Sequence, residues 1–260
     1  MDWNRTTSLI TGASSGIGLE FARELAARGS RVVLVARDET KLRSLAAELV
    51  AQGAVEPVVI PMDLSREESI AALKRETDAR DLRIDALINN AGFSNHGAIA
   101  EIPSEDQSRL IRLNVLAMAG LVREYLPGMI ERHRGTIVNL GSIVSFHPLP
   151  TQAAYAASKA FVLSYTESLW QETRGTGVEV LALCPGVTST DFYKTLGKEV
   201  ILPKRTPRMV VVTALRALES DKMTVVDGWL NALQSRWFPR IVARRMFMRL
   251  AGAIMGRMYR

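Results

Sequence analysis

The chain is short of several things, and each shortage closes off a class of protein. It has one cysteine, Cys184, so no internal disulfide framework can form, and a lone thiol of this kind reads as a small packed apolar residue rather than a nucleophile. Its three histidines, His96, His133 and His147, have no metal-ligand spacing, and no metal is expected. No run of 18 apolar residues is present to cross a bilayer. The start MDWNRTTS lacks the basic and apolar regions of a secretory signal. Together these absences read as a cytoplasmic chain and leave binding at a membrane surface open. There is also no internal repeat, low-complexity tract or Pro/Ser-rich linker to mark a second domain.

Acid is missing from one end. The formal net charge is +6, yet all 27 acidic residues lie at or before Asp227. That stretch holds 26 of the 33 Lys and Arg, a net of −1. Residues 228–260 carry seven arginines (Arg236, Arg240, Arg244, Arg245, Arg249, Arg257, Arg260) and no acid, interleaved with Trp237, Phe238, Phe247 and four methionines. A basic face spread over a domain, as nucleic-acid binders present, is not evident, so nucleic acid is not an expected partner.

What remains is ample for a folded core: 260 residues at 47% hydrophobic content suit one large α/β domain. Short β-branched runs alternate with longer helical patterns. The predicted strands are SLIT (8–11), RVVLVA (31–36), PVVIPM (57–62), DALINN (85–90), TIVNLG (136–141), VEVLAL (178–183) and MTVVD (223–227). Between them, segments such as GLEFARELAARG and ETKLRSLAAELVAQG place apolar residues at helical spacing. Strands that are continuous apolar runs are buried on both faces, which predicts a mainly parallel, doubly wound sheet of seven strands with helices on either side. Ligands of such sheets bind beyond the carboxyl ends of the strands, near the point where strand order reverses.

TGASSGIG, residues 11–18, follows the first predicted strand and opens the first helix. Glycines at such a turn let backbone approach phosphate, and the free N–H groups of the helix attract the anion. The spacing of Gly12, Gly16 and Gly18 is not G-x-G-x-x-G, however, and on the glycines alone a plain strand-to-helix turn fits equally well. Further along, Tyr155 and Lys159 are four apart in the Ala-rich stretch PTQAAYAASKAFVLSYTESL, so they share a helix face. A nearby ammonium favours tyrosinate, which makes the phenol a usable general acid or base.

Taken in order, Gly12, Gly16 and Gly18, then NNAG at 89–92, Asn114, Ser142, Tyr155 with Lys159, and Pro185, Gly186 and Thr190 resemble the short-chain dehydrogenase/reductase family in residue type, order and spacing. The resemblance covers roughly residues 6–228 and implies a Rossmann-type fold. It implies a domain over 1–228 that binds a nicotinamide cofactor and catalyses oxidoreduction, with residues 229–260 as a basic, apolar C-terminal extension. In that family the 4-then-2 glycine spacing is the pyrophosphate turn, here Gly12, Ser14, Ser15, Gly16, Ile17 and Gly18. Asn114, Ser142, Tyr155 and Lys159 are then the catalytic set. Ser142 ends a predicted strand, where its hydroxyl can donate to a carbonyl oxygen as negative charge develops. Asn114 is implied to position a water that links Lys159 to solvent, although a satisfied core asparagine reads equally well. Asp63 with Leu64 is implied to meet the adenine, Asn90, Ala91 and Gly92 the adenosine ribose, and Pro185, Gly186, Val187 and Thr190 the carboxamide and pyrophosphate. Asp63 also reads as a helix N-cap.

The expected cofactor is NADP(H). At the end of RVVLVARDE, where NAD-binding versions carry an acid for the ribose 2′-OH, stands Ala36 followed by Arg37. Arg37 can make charge-assisted bonds to a 2′-phosphate, helped by the Ser14 hydroxyl. Asp38 reads as the N-cap of the next helix rather than as a ribose acid. The reaction this implies is reduction of a ketone or aldehyde, or oxidation of a secondary alcohol, on a lipophilic small molecule of 3-oxoacyl, steroid or sphingoid type; a low-turnover NADP(H) sensor or scaffold is the alternative. Substrate choice is expected in residues 94–106, 143–151 and 191–207, the last long enough for a lid. Phe93, Phe146, His147, Phe192 and Tyr193 suggest an apolar pocket. A homo-oligomer, dimer or tetramer, is expected. The tail, residues 235–260, reads as a two-part segment broken by Pro239 and by Gly252 and Gly256. It suits an anionic membrane surface, or it packs on the active-site mouth or a second subunit.

Overall fold

The computed structural model describes residues 2–190, 192, 205–236 and 243–258. The strands are β1 Thr7–Thr11, β2 Arg31–Ala36, β3 Val58–Pro61, β4 Ala86–Asn89, β5 Gly135–Leu140, β6 Val178–Cys184 and β7 Thr224–Val226. They form one sheet in the order β3-β2-β1-β4-β5-β6-β7, with every pair parallel. The order reverses between β1 and β4, which opens a crevice at their carboxyl ends.

The helices are α1 Gly16–Ala27, α2 Glu39–Ala51, α3 Ser69–Ala79, α4 Ser104–Ile111, α5 Met118–Glu131, α6 Ala153–Glu172, α7 Pro207–Glu219, α8 Trp229–Arg236 and α9 Arg244–Met258. Strand residues alternate between two apolar layers. Ile10, Val32, Leu34, Ile88 and Val138 join Phe21, Leu25, Leu42 and Val211 on one side. Leu9, Val33, Val35, Leu87 and Ile137 join Leu73, Leu121 and Val122 on the other. Both faces are buried, which is why these strands are unbroken apolar runs.

Local chemistry sets the element ends. Asp38 N-caps α2, its carboxylate accepting from Lys41 N at 3.1 Å. Thr206 N-caps α7 ahead of Pro207, whose fixed φ suits a first helical position. Between α4 and α5 the chain makes a π-helical turn, Arg112–Ala117, and a 3-10 turn spans Ile143–Phe146 after β5. Neither irregular turn is announced by hydrophobic periodicity. In the tail, α9 runs unbroken through Gly252 and Gly256, contrary to the expected break. A helix-interior glycine costs only about 1 kcal/mol and weakens a helix without stopping it. Pro239 and the segments 193–204 and 237–242, with most of the expected lid, lie outside the described residues.

Candidate active site

A cleft of about 650 Å³ lies along the carboxyl ends of the strands. The turn after β1 forms its floor. Gly16 has φ +57, and a Cβ there would meet Thr190 Cγ2 at 2.9 Å. Gly18 sits beneath the cleft, where a Cβ would lie 2.3 Å from Gly12 O and 2.4 Å from Asn90 Nδ2; its hydrogen lets α1 close on the end of β4. Asn90 Nδ2 donates to Thr11 O at 2.9 Å and to Gly12 O at 3.2 Å. Thr11 Oγ1 receives the N–H groups of Asn90 and Ala91 at 3.0 and 2.9 Å. The turn after β1 and the end of β4 are thus laced together. The first turn of α1 carries no acid, so its N–H groups face the cleft without a competing charge.

Arg37, Asp38, Lys41, Asp63 and Leu64 line the cleft where β2 and β3 end, and Ser14 and Ser15 line it at the turn after β1. Asp38 is engaged by Lys41, through the N-cap bond and a 3.6 Å ion pair. Asp63 does not cap α3, which starts at Ser69; its Oδ1 accepts from Ser65 N and Oγ at 3.0 and 2.7 Å. Burial pushes the Asp63 carboxyl up, but the Ser65 bonds and the Arg37 and Arg109 charges outweigh it and hold the pKa below the usual carboxylate range.

Ser142, Tyr155 and Lys159 line the cleft on the other side of β1, after β5 and on α6. Ser142 caps the 3-10 turn: its Oγ accepts from Val144 N at 3.3 Å, while Ser145 Oγ accepts from Ser142 N at 3.0 Å. An accepting bond on Oγ leaves the hydroxyl hydrogen to donate elsewhere. The loops after β5 and β6 are joined by Ile143 N donating to Pro185 O at 3.0 Å. Tyr155 and Lys159 are both buried on α6, and the ammonium lies 5.9 Å from the phenol ring centroid. Lys159 Nζ donates to Leu140 O at 2.6 Å. Burial lowers its pKa to about 8.

Asn114 lies in the π-helical turn, behind Gly92 rather than on the cleft wall. Its Oδ1 accepts from Phe93 N at 3.1 Å, and its Nδ2 donates to Phe93 O at 3.0 Å and Ser158 Oγ at 3.1 Å. A Cβ on Gly92 would be 3.0 Å from Asn114 Oδ1 and 3.6 Å from Lys159 Nζ, so glycine keeps space open between the amide and the ammonium. Val187 also stays off the cleft wall, its carbonyl accepting from Arg205 N at 2.9 Å.

Of the expected pocket aromatics, Phe93 and Phe192 line the cleft, with Phe192 5.8 Å from the Tyr155 ring. Phe146 instead packs, with Ala232 of α8, against the cluster of Leu163, Ala182, Cys184 and Val226. His147 meets Phe247 of α9 edge-on at 5.1 Å, and burial lowers its pKa. Tyr193 lies outside the described residues. Lys41, Arg109 and Thr188 line the cleft unforeseen. Lys41 was within reach, as the next cation after Arg37; Arg109, whose guanidinium lies 5.5 Å from the Phe93 ring centroid, carried no sequence signal. Among the described residues no group of side chains could hold a metal.

The residues present fit a nicotinamide dinucleotide: glycines that a side chain would crowd, an acid-free helix start and cations on the β2 side of a cleft at the switch point. The chain matches the short chain dehydrogenase family over residues 6–200. It is 34% identical to a very-long-chain 3-oxoacyl-CoA reductase of Anas platyrhynchos, over 94% of this chain and 78% of that one. Among solved structures, a short-chain dehydrogenase from Sphingobium yanoikuyae in complex with NADPH is 35% identical, with a TM-score of 0.83 over 93% of this chain and 94% of that one. A 3-oxoacyl-[acyl-carrier protein] reductase from Brucella melitensis with bound NAD is 26% identical, with a TM-score of 0.76 over 87% of this chain and 92% of that one. With its all-parallel seven-stranded sheet and these matches, the chain belongs to the short chain dehydrogenase family and is an oxidoreductase acting on CH–OH or C=O groups.

Proposed function

We propose that the protein is an NADP(H)-dependent reductase of a lipophilic ketone, of long-chain 3-oxoacyl type, with Tyr155 as the proton donor. The observation that carries this reading is one cleft lined by Ser142, Tyr155 and Lys159 on the β5 side of the switch point and by Arg37 and Lys41 on the β2 side. When bound, the cofactor supplies the hydride. The turn from Gly12 to Gly16 and the start of α1 hold the pyrophosphate, joined by Thr190. Arg37, with Ser14 and Lys41, holds the 2′-phosphate; Asp38 is already committed to capping α2, which argues against its serving a ribose hydroxyl. Asp63 meets the adenine amino group, Asn90 to Gly92 lie against the ribose, and Pro185 and Gly186 face the carboxamide.

In the reaction the Ser142 hydroxyl donates to the substrate carbonyl oxygen, oriented by the bond its Oγ accepts from Val144 N. Tyr155 gives its proton to the same oxygen. Lys159 supplies positive charge beside the phenol, and the space at Gly92 holds a water that returns protons past Asn114. The apolar lining from Phe93 and Phe192 and the very-long-chain 3-oxoacyl-CoA for which the Anas platyrhynchos relative is named favour a long acyl chain.

The test follows cofactor absorbance over 3-oxoacyl thioesters and simple ketones of increasing chain length. The rate with NADPH should rise with chain length and exceed that with NADH. Arg37→Ala should weaken NADPH by ten- to a hundredfold, since a charge-assisted bond contributes about 1.5–3 kcal/mol, and leave NADH nearly unchanged. Equal losses for both cofactors would make Arg37 structural and return Asp38 to consideration.

A further inference from the structure

Helix α8 is oriented the wrong way round for a water-facing surface. At about 100° per residue, Trp229, Leu230 and Leu233 share one arc, and they are 75%, 52% and 52% exposed. The opposite arc is polar and turned inward: Asn231 Nδ2 donates to Asp227 O at 2.7 Å, and Ser235 is buried with its hydroxyl donating to Asn231 O at 2.7 Å. Ala232 packs with Ile143 and Phe146 on the cluster of Leu163, Ala182, Cys184 and Val226, and α8 lies against the 3-10 turn Ile143–Phe146. An amphipathic helix bordering water has the reverse arrangement.

Helix α9 supplies the companion face. Its inner side seats buried Phe247 against His147 and brings Gly252 up to Pro150, 3.9 Å from where a Cβ would be. Its outer side presents Met246 and Leu250, 53% and 45% exposed, next to exposed Arg245 and Arg249, with Arg244 exposed at its first turn. Both helices rest on the same loop, residues 142–151, which leads into α6 and Tyr155. Neither is long and apolar enough to cross a membrane.

We propose that the outer faces of α8 and α9 dock on an anionic lipid bilayer, beside the mouth of the active site. The charge decides among occupants. Arg244, Arg245 and Arg249 stand exposed on α9, and the sequence from residue 228 onward holds no acid, so the face needs a partner that is anionic and apolar at once. Lipid headgroups meet the arginines while Trp229, Leu230, Leu233, Met246 and Leu250 enter the acyl boundary. A second copy docked through the same face would bring the same arginines into one interface with no carboxylate from either pair of helices.

Flotation tests the proposal, using the full chain with phosphatidylcholine vesicles made with or without a one-third share of phosphatidylserine. The protein should float with the anionic vesicles at low ionic strength, less at high, and stay at the bottom with phosphatidylcholine alone. Trp229→Ser with Leu233→Ser should cut partitioning at least tenfold, and Arg245→Gln with Arg249→Gln about thirtyfold at low salt. Both pairs lie on exposed positions and should melt as the wild type does; the arginine pair keeps the test decisive should the apolar pair disturb folding. A wild type that ignores anionic vesicles overturns the proposal, as do variants that float undiminished. A wild-type dimer in light scattering that Leu233→Ser dissociates, with vesicles ignored, assigns the face to a second copy.

Discussion

Lys159 is where function and stability pull apart. Its ammonium is buried beside the Tyr155 ring, and burial lowers its pKa to about 8 from 10.5. Below pH 8 the lysine is charged in both folded and unfolded chains, and the folded state bears the full cost of desolvation. Between pH 8 and 10.5 the folded state gives up the proton while the unfolded state keeps it, so the penalty shrinks; above 10.5 it is gone. Lys159→Met should therefore abolish turnover yet raise stability at pH 7 by on the order of 1–3 kcal/mol, less than the full shift because Leu140 O loses its donor. Calorimetry at pH 7 and pH 10 checks this: the advantage of the variant should narrow at the higher pH. A wild type at least as stable as the variant at pH 7 would show that the buried ammonium carries no penalty. Tyr155→Phe is the complementary change, keeping the ring against Phe192 and deleting the proton. Turnover should fall at least ~10²-fold with NADPH affinity unchanged; retention of a tenth of the wild-type rate would remove Tyr155 from the chemistry.

At the scale of elements, the regular parts of the fold were legible and the irregular parts were not. All seven strands fall within a residue or two of their apolar runs, because a strand buried on both faces leaves an unbroken signature. The Asp38 cap of α2 was readable from chemistry alone. The π-helical turn at Arg112–Ala117 was not, since one extra residue in a helix leaves no mark in apolar spacing, and with it the three-way bonding of Asn114 stayed hidden. Likewise the lining roles of Arg109 and Lys41 depend on how α4 and α2 approach the cleft, which is a tertiary matter. The family pattern reached most of the cleft wall, but Gly18, Asn114 and Val187 prove to lie off it. Gly18 is a packing residue for an element: Gly18→Ala should force α1 away from Gly12 and Asn90, costing about 1–3 kcal/mol as overpacking does, and weaken cofactor binding with it. Gly53→Ala provides the contrast. Gly53 has φ +85 and open surroundings, so it should lose about 1–2 kcal/mol from backbone strain and leave binding intact. Titration and melting of both variants would separate the two effects; equal binding would deny Gly18 its role in seating the turn.

For the whole molecule, one buried carboxylate holds several elements together. Arg205 Nε donates to Asp227, which is fully buried and also accepts from Thr213 Oγ1 at 2.8 Å. The backbone of Arg205 bonds to Val187 and Ser189. The pair thereby ties the loop after β6 to α7, β7 and the start of α8. Arg205→Ala would strand a carboxylate in the interior, which costs about 3–5 kcal/mol, or roughly 6–20 °C in Tm for a chain of this size. A Tm drop of less than a degree or two would show that water reaches Asp227 and that the clamp is dispensable.

The reversal of strand order has a consequence in time. β1 can pair with β2 as soon as Arg31–Val35 is made, but the crevice needs β4, and that pairing joins Ser8 to Ala86. Closing a loop of that length is a slow, non-local step. During synthesis, which proceeds from the N-terminus, the glycine turn therefore stays unlaced until Asn90 arrives. A ligand stabilises only the states that bind it. The nicotinamide dinucleotide can accordingly speed no early event of folding and protects the chain only after that long-range closure.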